Sequence, residues 1–132
     1  MSVDRDAEAY MNKATESLTG AQSEFDSERF NNSANRSYYA AFQAAICALL
    51  RDGIRRGDDK WPHTFVQSEF SGRLVNRRRR YPSQFGGTLA ELQRLRHRAD
   101  YRGATIGRSD ARNALRLSGE FVAAIRHGGE TQ

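Results

Sequence analysis

Apolar side chains recur every three or four residues along most of the chain, and no segment sustains the apolar–polar alternation of a half-buried strand. Over residues 4–24, Ala7, Tyr10, Met11, Ala14, Leu18 and Ala21 form one stripe and predict a first helix. A turn near Asp26 and Ser27 leads to a second helix over 28–51. Its stripe of Phe30, Ala34, Tyr38, Ala41, Ala45 and Ala48 is widened by Tyr39, Phe42, Ile46, Leu49 and Leu50 until it nearly surrounds the helix, so this helix is expected at the centre of the fold. Gly53 is placed to cap it, and the polar run IRRGDDKWP reads as a loop. A third helix is predicted over 63–78 with Phe65, Val66, Phe70 and Leu74 inward, followed by a break at YPSQFGG. A fourth over 88–101 carries Leu89, Leu92, Leu95 and Ala99. Ser109 is read as the N-cap of a last helix, whose inward positions are Ala111, Ala114, Leu115, Ser118, Val122 and Ile125. These elements predict an all-α fold, an antiparallel four-to-five-helix bundle in one domain spanning 1–132, with a disordered tail at about 128–132.

Length and composition narrow the class without changing that picture. A chain of 132 residues buries roughly two thirds of its unfolded surface, enough for a core with no disulfide or metal. The single cysteine, Cys47, sits in AAICALL and reads as a small buried hydrophobe. The most apolar stretch, residues 38–50, is too short to cross a bilayer. The acidic start MSVDRDAEAY does not resemble a secretion signal. A cytoplasmic protein with no membrane contact is the expectation.

Charge changes the picture more. The formal net charge is +5, yet residues 1–30 carry seven acids against three bases, whereas residues 70–102 carry nine arginines against Glu91 and Asp100. Guanidinium groups make forked hydrogen bonds to phosphate, so Arg73, Arg77, Arg78, Arg79, Arg80, Arg94, Arg98 and Arg102 are candidates for nucleic-acid contact. The same charge could instead meet the acidic first helix. Arg77–Arg80 are expected to wrap the last turn of the third helix, where positive charge also suits the helix dipole.

Other chemistry is poorly supplied. His63, His97 and His127 share no metal-ligand spacing, and no glycine-rich phosphate loop is present, so neither a metal site nor a cofactor is expected. Arg96 and Asp100, spaced i, i+4, share a helix face. Two readings of them stay open: a phosphate ligand oriented by a carboxylate, or an ion pair tying the fourth helix to the second through a polar cluster of Asn35, Arg36, Tyr38 and Tyr39. If buried, such a pair would cost about 3–5 kcal/mol to break. Of the two tyrosines, one is expected in the core and the other to offer its hydroxyl to the cluster, the alternative being a base-stacking platform. Trp61 reads as a loop anchor, and His63 as a residue that caps or packs at a helix start.

The segment FNNSANRSYYAAFQAAICALLRDG resembles the second helix of the HEPN domain family, with its Asn-Arg-x-Tyr-Tyr-Ala-x-Phe pattern. The stretch LQRLRHRADY resembles the ending of that family's fourth helix, and His63 with FVQSEFSGRLV resembles the region between. The resemblance covers residues 5–126. It implies a homodimer with an RNA-binding cleft between protomers, in a toxin–antitoxin or antiviral defence system, with a minimal nucleotidyltransferase or a larger effector as possible partner. Ribonuclease members carry an Arg, four to six residues, then a His, without a metal. Arg holds the scissile phosphate and His moves protons near neutral pH. After Arg96 the corresponding positions hold Tyr101, Arg102 and Gly103. The resemblance therefore implies Arg96, Asp100 and Tyr101 as the catalytic positions but an atypical or non-catalytic protein. The rival is a metal-independent endoribonuclease toxin, or a partner subunit of a nucleotidyltransferase. The formal match Arg56 to His63 is discounted, because it straddles Pro62 in a loop and arginine is frequent enough to produce it by chance.

Overall fold

The computed structural model describes residues 2–101 and 105–128. Every regular element in it is helical: α1 (Ser2–Asp26), α2 (Phe30–Arg51), α3 (His63–Glu69) continuing as a π-helix (Phe70–Arg77), a 3₁₀ turn (Ser83–Gly87), α4 (Thr88–Asp100) and α5 (Arg108–Gly128). The all-α bundle follows from the periodicity.

The link from α1 to α2 closes through Glu28 N–H to Phe25 O (2.9 Å) and Arg29 N–H to Glu24 O (2.8 Å), with Glu28 in the left-handed region at φ 62°. That is the double hydrogen bond of a Schellman cap, here on a residue that lacks glycine's freedom. The end of α2 uses the same device with the glycine the sequence announces. Gly53 at φ 77° donates to Leu50 O (3.0 Å), Ile54 donates to Leu49 O (2.9 Å), and Ile54 is buried.

Of the 22 residues of α2, 14 are buried, which makes it the central helix. Alanine and serine at its contacts let the neighbouring backbones approach. Ser33 Oγ donates to Ala21 O (2.9 Å) on α1, and Ser118 Oγ on α5 donates to Ser37 O (2.7 Å). Ser17 meets Gln43 and Arg55 meets Asp6, so α1 and α2 run antiparallel. Asn35 meets Asp100 in the same sense between α2 and α4. Ser37 with Ser118 and Arg51 with Ile125 show α5 returning parallel to α2. Successive long helices therefore alternate in direction around α2.

Four local expectations change. The last helix begins at Arg108, with Ala111 N–H bonded to Gly107 O (3.1 Å), so Ser109 lies inside the first turn and is not the cap. The third helix widens into a π-helix at Phe70, where a longer turn puts Phe70, Leu74 and Val75 on one buried face. It stops at Arg77, with Arg78 N–H to Arg73 O (2.8 Å) and Arg80 N–H to Leu74 O (2.7 Å), and Arg79 at φ 52°; the arginines do not wrap a helical turn. The break at YPSQFGG is a 3₁₀ turn that buries Phe85 against Phe121 (5.8 Å between ring centroids). Of the expected tail, Gly128 ends α5 and the rest lies outside the described residues. Among the described residues no helix is long and apolar enough to cross a membrane.

Candidate nucleic-acid site around Arg96

Tyr38, Tyr39 and Phe42 project from consecutive turns of α2, and Pro62, with extended ψ of 145°, sets His63 as the first residue of α3. The bundle brings these four together. The imidazole of His63 stacks on Phe42 (4.6 Å, 20° between planes) and on Tyr38 (5.4 Å, 12°). His63 Nδ1 shares a short hydrogen bond with the Tyr38 hydroxyl. Arg96, from α4, lays its guanidinium over the cluster, 5.5 Å from the Tyr38 ring and 5.1 Å from the Tyr39 ring. A cation held over two phenol rings is attracted by their quadrupoles, and the contact leaves its polar edge directed along the rings.

Tyr38 is fully buried and Tyr39 half-buried. The expected division of labour is thus altered: the core tyrosine is the one whose hydroxyl joins the polar cluster, while Tyr39 offers its ring to Arg96. Burial raises the Tyr38 phenol above its ordinary value, against a Gln67 hydrogen bond and the Arg96 charge, so it stays protonated. His63 moves the other way: burial, then the positive charges of Arg96 and His97, hold its imidazole below the usual histidine range. It is neutral at pH 7. The Tyr38 hydroxyl engages Nδ1, so Nε2 is the ring nitrogen not held by that bond.

Asp100 stands 3.6 Å from Arg96 Nε, too far for a hydrogen bond, and accepts from Asn35 Nδ2 at 3.4 Å. Arg96 Nη1 reaches Gln93 Oε1 at 3.5 Å, and Nε is buried without a hydrogen-bond partner. Asp100 links Arg96 to α2 through Asn35, and among the described residues Arg96 Nε has no hydrogen-bond partner. Tyr101 follows α4 in extended backbone and is 65% exposed.

A family model described as HEPN domain matches residues 7–128. The chain belongs to the HEPN domain family. No curated protein matches it.

Within this HEPN domain, the arginines named as nucleic-acid contacts fall into two groups. Arg73 pairs with Glu69 (2.8 Å), Arg94 with Glu91 (2.5 Å) and Arg98 with Asp110 (2.7 Å). Arg78 and Arg80 both hold Asp52 Oδ2, at 2.9 and 3.1 Å. Arg77 and Arg79 are exposed and make no ion pair among the described residues, and Arg102 lies outside them. None of these partners is on α1, so among the described residues the ion pairs of the basic segment do not reach the acidic first helix. Arg56 is held by Asp58 (2.9 Å) and lies over Phe65 (5.8 Å), apart from the His63 stack. His63 is the site residue that sequence reasoning left as packing. Thirty-three positions separate it from Arg96, and only the crossing of α2 by α3 and α4 joins them.

Proposed function

We propose that this HEPN-family protein is an RNA-associated component of a toxin–antitoxin or antiviral defence system, acting as one domain in a homodimer and binding RNA without cleaving it. The observation that carries the reading is Arg96 laid on Tyr38 and Tyr39 beside a neutral His63 whose Nδ1 is engaged by Tyr38. This is a set of donors for a phosphodiester. It does not carry a histidine four to six residues after Arg96, the spacing that the cleaving pair requires. The positions after Arg96 supply no substitute, since Tyr101, Arg102 and Gly103 carry no imidazole. Arg77 and Arg79 extend the phosphate-binding surface. A minimal nucleotidyltransferase or a larger effector is the partner class that would use RNA held in this way.

The test is fluorescence anisotropy with labelled single-stranded RNA, beside incubation with total RNA and transfer RNA in EDTA. Wild type is expected to bind and to leave the RNA intact, and Arg96→Lys to bind at least tenfold more weakly, because lysine cannot reproduce the planar, forked contact. Cleavage in EDTA that Arg96→Lys abolishes would replace this reading with the endoribonuclease toxin. Absence of RNA binding would sink both.

A further inference from the structure

Helix α2 is buried on all sides except one polar stripe, on which Asn32, Asn35, Arg36, Tyr39 and Gln43 follow one another at helical spacing. This stripe floors a pocket of about 390 Å³ that Ser17 of α1 closes on one side. On the other side stands the phosphate-binding arginine: Tyr39 lines the pocket and carries Arg96 over its ring (5.1 Å), and Asn35 lines the pocket and donates to Asp100, the ion-pair partner of Arg96.

The floor is built rather than incidental. Gln43 anchors one end, its amide nitrogen donating to the carbonyls of Tyr39 (3.2 Å) and Lys13 (3.1 Å), the orientation that satisfies both of its polar atoms. Arg36 lies across α1 at Gly20, so close that a Cβ there would meet its Nη1 at 3.1 Å. It makes no ion pair among the described residues. Two carboxamides, a phenol ring and a planar guanidinium thus converge on a space the size of one nucleotide. A carboxamide offers a donor and an acceptor side by side, which matches the edge of a base; an aromatic ring or guanidinium plane matches its face. No carboxylate lines the pocket, which disfavours a cation, and its polar lining disfavours an apolar ligand.

We propose that this pocket is a nucleobase subsite, taking one unstacked base of single-stranded RNA whose neighbouring phosphate is held at Arg96. This rests on the RNA-binding reading above and names which part of the RNA is recognised. With their amide nitrogens held by Glu24 (3.2 Å) and Asp100 (3.4 Å), Asn32 and Asn35 read the base edge chiefly through their carboxamide oxygens, and Tyr39 and Arg36 supply the stacking surfaces.

The experiment compares the affinity of the full chain for short labelled single-stranded RNA and for an abasic RNA of the same length. Wild type is expected to bind the abasic strand about tenfold more weakly, the scale of one lost stacking contact. Asn32→Ala, and Arg36→Lys, which keeps the charge but removes the stacking plane, should weaken binding of base-bearing RNA by a similar factor and leave the abasic strand unaffected, while Arg96→Lys weakens both. Should Asn32→Ala fail to fold, Arg36→Lys on the exposed side of the pocket carries the same comparison. Equal binding of the two strands by wild type, with Arg96→Lys still impaired, would overturn the subsite and leave phosphate binding standing. Variants that change the mass in light scattering but not RNA affinity would overturn it in favour of a contact between protomers. No RNA binding by wild type would overturn both readings together.

Discussion

Arg96 is 21% exposed at its side chain, but its partner Asp100 is 50% exposed, and that asymmetry sets what substitution does. Removing the arginine leaves a solvated carboxylate and not a buried charge, so the large cost expected for a buried pair does not apply. Arg96→Ala should cost about 1–2 kcal/mol, from a weak ion pair and the cation–ring contacts. Chemical denaturation would show a folded variant with a modestly lower midpoint, which makes RNA binding by that variant interpretable. His63 supplies the second residue-scale prediction. Its folded-state pKa lies below its unfolded value, so as pH falls the unfolded chain takes up the proton first. The contribution of His63 is level above about pH 6.5 and turns against the folded state below it. Wild type should therefore lose Tm between about pH 6.5 and 5 more steeply than His63→Gln, which lacks the group. Parallel pH profiles of the two proteins would contradict the buried, neutral imidazole. The hydroxyl of Tyr38 was legible as a contributor only once its neighbour was known, because nothing along the chain relates residue 38 to residue 63.

Between elements, Asp52 is the tie that matters most. At 11% exposure it receives both Arg78 and Arg80, and so fastens the end of α2 to the end of the π-helix. Its presence explains why alternate members of the arginine run are tied to a carboxylate at the protein surface while Arg77 and Arg79 make no ion pair among the described residues. Asp52→Asn keeps the shape and removes the charge. It should lower stability by about 1 kcal/mol, since the arginines are themselves largely solvated. Under the RNA-binding reading it should also steepen the salt dependence of affinity, by about 0.7 in the log–log slope for each arginine that gains a phosphate contact. A slope unchanged from wild type would mean that Arg78 and Arg80 lie away from the RNA path. The basic run was visible in the sequence as a charge. Which of its members are neutralised was not, because the neutralising carboxylate sits more than twenty positions upstream.

For the molecule as a whole, the core is a set of residues from every helix gathered on α2, and Phe121 marks where its far side closes. Fully buried, its ring lies 4.9 Å from Phe70 and 5.8 Å from Phe85, joining α5 to the π-helix and the 3₁₀ turn. Phe121→Ala should cost about 3–5 kcal/mol and lower Tm accordingly, with the transition still cooperative. A loss under 1 kcal/mol would mean that this corner of the core does not carry the packing attributed to it. Helical class, the central place of α2, the Gly53 cap and the inward faces of α1, α2 and α4 all follow from the sequence. Each depends on side chains within one or two turns, and hydrophobic periodicity reports that range directly. The HEPN motifs were legible for the same reason, as local strings on two helices. The Glu28 cap, the π-helix at Phe70 and the assembly of His63 with Tyr38 and Arg96 were decided by the tertiary structure. A strained backbone, a widened turn and a buried tyrosine–histidine hydrogen bond persist only where distant helices hold them in place, and the energies that favour them come from contacts that spacing along the chain does not encode.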